Sequence, residues 1–223
     1  MAGERISVED AATALRVSAQ QVRALLAHGK LRGLKLSGRW LVDRASVEDL
    51  RASRPGPGRP LDPENAWGFL WLQSDRRPKW VKPWTMSRLR QRGPIEDLAP
   101  RLGSRARKGS YRVHSGLLQR LRDDRRLVLT GISAPRRYRA DVVSRRELEA
   151  YVRAKDLPKV IRDYKLEEEA DDLNVTLRVV EGFWPFEADE RYAPKAVVGV
   201  DLLDSRDQRS RRAGAKLLKD LRR

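Results

Sequence analysis

Between residues 54 and 60 the chain reads Arg54-Pro55-Gly56-Pro57-Gly58-Arg59-Pro60. Proline fixes φ and carries no backbone donor, and glycine holds no single conformation. Neither a helix nor a central strand runs through such a tract. It therefore sets a boundary: a first domain at residues 1–54, a Pro/Gly-rich linker at 55–64 and a second domain at 65–223. Two readings of Gly58-Arg59-Pro60 stand side by side. It is a plain linker, or it lies in an A·T-rich minor groove, where negative potential draws Arg59.

The 223 residues suffice for one large or two small domains. They carry 48 Lys and Arg against 31 Asp and Glu, a net charge of +17. An excess of that size points to a polyanion, most often nucleic acid. An Arg-loaded surface from a GC-rich genome is the alternative, since 37 of the 48 basic residues are Arg. The excess is uneven. Residues 1–58 hold 10 basic and 6 acidic side chains, residues 59–160 hold 25 and 11, and residues 161–223 hold 13 and 14. The absence of Cys excludes disulfide scaffolds, Cys-based zinc sites and thiol nucleophiles, and suits a reducing cytoplasm. No run approaches the roughly 18 apolar residues of a membrane span. The opening MAGERISVEDAA has no apolar stretch of the secretory kind.

The first domain alternates clear start and stop signals. Ser7 precedes Val8-Glu9-Asp10-Ala11-Ala12, an N-cap with acids in the first turn. Val8, Ala11, Ala12 and Leu15 fall at helical spacing and form the expected buried face. Ser18 caps a second helix, Ala19 to Leu26, with Val22, Leu25 and Leu26 inward. Ala19, Gln20, Gln21 and Arg23 are left outward. Gln bonds adenine through two edges, and Arg grips guanine or phosphate. His28-Gly29 ends the helix. Leu31–Leu36 and Trp40–Val42 around Ser37-Gly38-Arg39 read as a β-hairpin, and Arg44–Leu50 as a third helix. In such a unit the second helix enters the major groove, while Lys35 and the hairpin-tip Arg39 meet phosphate or the minor groove. Trp40 is expected on the domain core, and His28 at a helix end with phosphate as a lesser contact.

Residues 6–52 resemble the excisionase/MerR-type winged helix-turn-helix. The matching pieces are Val8-Glu9-Asp10-Ala11-Ala12, Leu15-Arg16-Val17-Ser18, Val22-Arg23, Gly29-Lys30-Leu31 and Gly38-Arg39-Trp40, in that order.

Downstream, Ala66–Leu72 reads as a buried helix with Trp67 and Trp71 one turn apart in a core. Arg76–Trp84 mixes cations, Pro and two Trp. It reads as a base-stacking segment or as a Trp-anchored loop on its own domain. Thr85–Arg92 reads as a basic helix. Arg105, Arg107, Lys108 and Arg112 fall in the most basic loop, a candidate for sequence-independent phosphate contacts. The pattern then predicts a strand at Tyr111–His114, a helix at Gly116–Arg122, a strand at Leu127–Gly131 and a helix at Arg145–Ala154. Next come a helix at Pro158–Tyr164, a strand at Asn174–Val180, a helix from Pro194 to Leu203 and a last helix at Arg209–Leu221. The fold class is α+β: an N-terminal winged helix-turn-helix plus a mixed α/β C-terminal domain.

Asn174-Val175-Thr176-Leu177-Arg178-Val179, Trp184-Pro185-Phe186, Ala193-Pro194 and Asp201–Arg209 resemble the tail domain of abortive-infection type (AbiEi-like) antitoxins. Tyr111-Arg112-Val113-His114 and Leu127–Gly131 add to the likeness, which spans roughly residues 60–220. The excisionase-like start departs from that family's usual N-terminal winged domain. The resemblance implies autorepression of a two-gene operon and antagonism of a nucleotidyltransferase-like toxin encoded nearby, without an obligatory direct complex.

No chemistry-bearing constellation accompanies these motifs. His28 and His114 have no ligand-spaced partners, no glycine-rich phosphate loop follows a strand, and no Gly-x-Ser-x-Gly elbow occurs. Asp141, Asp201, Asp204 and Asp207 are the carboxylates that could hold Mg²⁺ in a nuclease or nucleotidyltransferase. Asp204 and Asp207 read better as helix caps, and Asp201 as an exposed helix residue. The expectation is a non-enzymatic regulator without cofactor or metal, binding double-stranded DNA at the operator of its own operon. The alternatives are an excisionase-like architectural factor and a protein-binding adaptor whose basic middle neutralises an acidic toxin. One helix-turn-helix grips little DNA, so either the chain forms a homodimer or the middle adds a second foothold.

Overall fold

The computed structural model describes residues 4–15, 17–27, 29–36, 38–53, 59–138, 142, 144–168, 170, 172–205 and 207–221. The heart of the Pro/Gly tract, residues 54–58, lies outside them, as do His28 and Asp141. The chain divides into two compact units, Met1–Arg54 and Pro55–Arg223.

The first unit runs β1 (Arg5–Ser7), α1 (Val8–Leu15), α2 (Ala19–Ala27), β2 (Gly33–Leu36), β3 (Arg39–Asp43) and α3 (Arg44–Ser53). Ser7 starts α1: its Oγ accepts from the Asp10 amide at 3.0 Å and donates to the Asp10 carboxylate at 2.7 Å. Ser18 does the same for α2 through the Gln21 amide. Gly29 stops α2 at φ +66°, a conformation that costs a side chain but not glycine. Val8, Ala11, Ala12, Leu15, Val22 and Leu26 close on Leu31, Val42 and Val47. Trp40 packs against this core from its rim. The strands form an antiparallel sheet in the order β1-β3-β2. β1 is an addition to the hairpin the sequence shows. Three residues carry no readable period, and Arg5–Ser7 become a strand only by pairing with Leu41–Asp43. The buried Ser46 hydroxyl donates to the Asp43 carbonyl and accepts from the Arg32 amide, so α3 is tied to the approach to β2.

The second unit runs α4 (Pro63–Gln73), α5 (Pro83–Arg90), α6 (Ile95–Leu98), β4 (Arg107–Tyr111), α7 (Ser115–Asp123), β5 (Val128–Leu129), β6 (Leu148–Arg153), α8 (Leu157–Tyr164), β7 (Val175–Val180), α9 (Lys195–Leu203) and α10 (Gln208–Lys219). Asp62 caps α4 through the Asn65 amide, and Leu61 is buried, so order begins inside the expected linker. α5 starts at Pro83, two residues before the Thr85 start that the sequence suggests.

The sheet is mixed, in the order β4-β7-β6-β5, with β6 and β7 parallel and both outer pairs antiparallel. α7 and α8 supply Leu118, Leu121, Leu157 and Val160 to one face, against Leu148, Ala150, Val152, Val175, Leu177 and Val179. The other face lies in the cluster that holds α4, α9 and α10. There Trp67 is fully buried, its ring edge-on to Trp71, Tyr151 and Phe186 at 5.1–5.6 Å. α9 is apolar almost all round and correspondingly buried. Gly199 and Gly214 let α9 and α10 close in. A Cβ on Gly214 would stand 2.7 Å from the Gly199 carbonyl.

Two segments fold differently from their sequence pattern. The expected helix at Arg145–Ala154 is β6, because Leu148, Ala150 and Val152 alternate with Glu149, Tyr151 and Arg153, a two-residue period with both faces covered. The basic loop at 107–111 is β4, and His114, expected in a strand, caps α7 by accepting from the Gly116 amide. Trp80 is anchored, its Nε1 donating to the Glu64 carbonyl, whereas Trp84 is 61% exposed beneath the Lys82 ammonium. Among the described residues no helix is long and apolar enough to cross a membrane.

Candidate nucleic-acid interface

Burial of Val22 and Leu26, one turn apart, fixes the rotation of α2. Gln20, Gln21, Arg23, Ala24 and Ala27 are left facing solvent. Gln20 and Arg23 are three residues apart and so adjacent on that face. Its amides and guanidinium are the groups that pair with base edges. Ser18 is spent on its cap, and Ala19 is half-buried against the core. Arg23 lies 3.7 Å from Glu9 of α1 with both side chains more than half exposed, an ion pair that a base or phosphate can displace.

The wing is β2 and β3, with Leu34 opposite Leu41, Lys35 opposite Trp40 and Leu36 opposite Arg39. Lys35 is exposed, and Gly38 takes φ +80° in the turn. The backbone of Arg39 opens β3, while its side chain and Ser37 lie outside what is described. Leu36 is 53% exposed, which the hydrophobic pattern did not suggest and only the hairpin register reveals.

The second unit separates the basic candidates. Arg59 and Arg112 are exposed. Arg112 pairs its backbone with that of Glu167, the first of the three consecutive acids Glu167-Glu168-Glu169. Arg107 is exposed and lies 3.9 Å from Glu181, and Lys108 lies 3.2 Å from Asp204.

Arg105 is not at the surface. It is 5% exposed, and its guanidinium binds the Asp201 carboxylate, the Tyr151 hydroxyl at 3.1 Å and the Leu102 carbonyl at 2.7 Å. Asp201, expected on an exposed turn, is fully buried on α9. It also accepts from the Tyr151 hydroxyl at 3.0 Å and from the Thr130 hydroxyl, and lies 3.2 Å from Arg178 Nε. Arg178 reaches on to Asp204 at 3.0 Å. Burial alone would raise the Asp204 carboxyl, but Arg178 and Lys108 outweigh it and hold it below the usual carboxylate range. Glu149, on the same face of the sheet, is pushed above that range, by burial first and by Asp201 next, against the pull of Arg178. Two buried guanidiniums therefore occupy Asp201 and Asp204, two of the four candidate metal carboxylates. Among the described residues no group of three or more His, Asp or Glu is placed to hold one. Asp207 does cap α10, accepting from the Ser210 amide.

Part of the charge in this unit is matched internally. Arg76, Lys79, Arg105, Arg107, Lys108 and Arg126 all pair with carboxylates that lie beyond residue 160. These pairs join the basic middle to the tail, and residues 59–223 keep a net charge of +13, with 38 basic against 25 acidic side chains.

Residues 6–55 match the helix-turn-helix domain family, and residues 118–222 match a family described as transcriptional regulator, AbiEi antitoxin, type IV toxin-antitoxin system. The second match starts later than the resemblance read from the sequence, leaving α4, α5, α6 and β4 outside it. Comparison with curated proteins and with solved structures returns no match.

Proposed function

From a helix-turn-helix domain joined to an antitoxin-type regulator region, we propose that this chain is a sequence-specific DNA-binding regulator that represses the operon encoding it. The observation that carries the reading is the α2 face: Gln20, Gln21 and Arg23 stand exposed beside a fully buried Val22. In this reading Gln20 and Arg23 read base edges in the major groove, and Lys35 and Arg39 of the wing grip the backbone. Arg59, Arg107, Lys108 and Arg112 add salt-sensitive phosphate contacts. Repression of the shared operon accompanies antagonism of a nucleotidyltransferase-like toxin.

A quantitative footprint on the DNA upstream of the gene tests this. A protected segment with two-fold symmetry and half-sites about one helical turn apart means a homodimer. A single asymmetric segment means one helix-turn-helix plus a second foothold, and no preference over unrelated DNA refutes the reading. The alternative is an adaptor whose basic surface neutralises an acidic toxin, and co-purification with the neighbouring gene product in the absence of operator binding would favour it.

A further inference from the structure

β6 and β7 run parallel, so their carboxyl ends, Arg153 and Val180, lie side by side. A cavity of about 330 Å³ opens at this place, with Arg153, Lys155, Val180, Gly182, Phe183 and Trp184 in its wall. All of this wall belongs to the second unit.

The wall joins two kinds of chemistry. The Arg153 guanidinium lies over the Trp184 ring, 5.0 Å from its centroid. That contact fixes the guanidinium plane and desolvates one side of it, leaving its N–H edge for an acceptor. Among the described residues no carboxylate pairs with Arg153 or with the exposed Lys155, so both cations are open to an anion. The acids next in sequence are Asp156 and Glu181. Neither lines the cavity, and Glu181 faces Arg107. The aromatic side is held from behind: Trp184 lies 5.0 Å from Phe186, and Phe183 lies 5.2 Å from Trp80.

We propose that this cavity is an effector site for a nucleoside monophosphate, with the phosphate on Arg153 and Lys155 and the base against the Phe183–Trp184 wall. Guanidinium and ammonium groups together are phosphate ligands, and aromatic rings accept any base face. The volume sits at the lower end of the roughly 300–1,000 Å³ range for small-molecule sites, which suits one nucleotide and not a strand.

Calorimetric titration of the full chain with GMP, AMP, guanosine and inorganic phosphate tests the site. Saturable binding of GMP or AMP is expected, with guanosine, which loses both charged contacts, and phosphate alone, which loses the aromatic wall, each weaker by about tenfold or more. Lys155→Gln, at an exposed position that folding does not depend on, should weaken nucleotide binding by about the same factor. Arg153→Gln should weaken it further, and Lys159→Gln on α8 should leave it unchanged. No saturable heat with either nucleotide overturns the proposal. So does equal affinity for guanosine or for bare phosphate, or nucleotide affinity that survives Lys155→Gln.

Discussion

Replacing Asp201 with asparagine probes the buried cluster with almost no change of shape. The wild-type carboxylate, fully buried, serves Arg105, Tyr151, Thr130 and Arg178 at once. Asparagine keeps the volume but removes the charge and turns one oxygen into a donor facing other donors. Arg105 then has no carboxylate, while Arg178 keeps Asp204 at 3.0 Å. Breaking a buried ion pair from one side costs about 3–5 kcal/mol, because the remaining charge stays out of water unpaired. The surviving Asp204 contact places the expected loss toward the lower end. For a unit of this size about 2–4 °C accompany each kcal/mol, so a loss near 3 kcal/mol should lower the melting point by about 6–12 °C. Urea unfolding followed by Trp fluorescence reads the right unit, since Trp67, Trp71, Trp80, Trp84 and Trp184 all lie in Pro55–Arg223. The two units need not unfold together, so this transition is fitted by itself. Glu181→Gln, which releases the exposed Arg107, serves as the comparison and should cost no more than about 1 kcal/mol. A loss for Asp201→Asn as small as that would mean the guanidiniums are effectively solvated, and the account of the cluster would fail.

Deleting residues 1–54 should abolish sequence preference and leave salt-sensitive DNA binding, measured by gel shift with operator and unrelated DNA; a truncated chain that keeps its preference refutes the assignment. Arg23→Ala should relax base choice at one operator position at a cost of about 1–3 kcal/mol, scored on a panel of single-base operator variants. Arg107→Gln and Arg112→Gln should each reduce the slope of log affinity against log salt by about one, whereas Arg105→Gln should destabilise the fold and leave the slope alone. Glu149 gives a pH test. Its raised pKa means the folded chain keeps a proton that the unfolded chain has lost, so its contribution to stability declines as pH rises from the unfolded value through the folded one. The stability difference between wild type and Glu149→Gln, from urea melts across that window, should move against the wild type as pH rises and then level off; a difference independent of pH would refute it.

The first unit was legible because its signals are local. Ser7 and Ser18 cap within three residues, and Val8, Ala11, Ala12, Leu15, Val22 and Leu26 repeat at helical spacing and are buried as that spacing requires. The cluster in the second unit was not, because its meaning depends on partners far apart in the chain. Arg105 and Asp201 are 96 positions apart, and a cation in a run of cations reads as surface until its carboxylate is known. A signal did exist. Asp201 is the one acid in the otherwise apolar Ala196–Leu203, where a carboxylate must be paired to be buried. Arg178 sits between Leu177 and Val179 on β7, a pattern usually read as a solvent face; here α9 covers that face. β6 misled for another reason, since Leu, Glu and Ala favour helices and the period of two is short.

The place of β4 carries one more implication. It is an outer strand of the sheet, bonded to β7 on one side only. Its free rim presents backbone donors and acceptors of the kind that recruit strands from other molecules and seed aggregates. Arg107 and Lys108 stand on that rim, and charged side chains there keep a second chain from docking. Besides any phosphate contact, these two cations guard the edge, and replacing both should make the chain more prone to self-association.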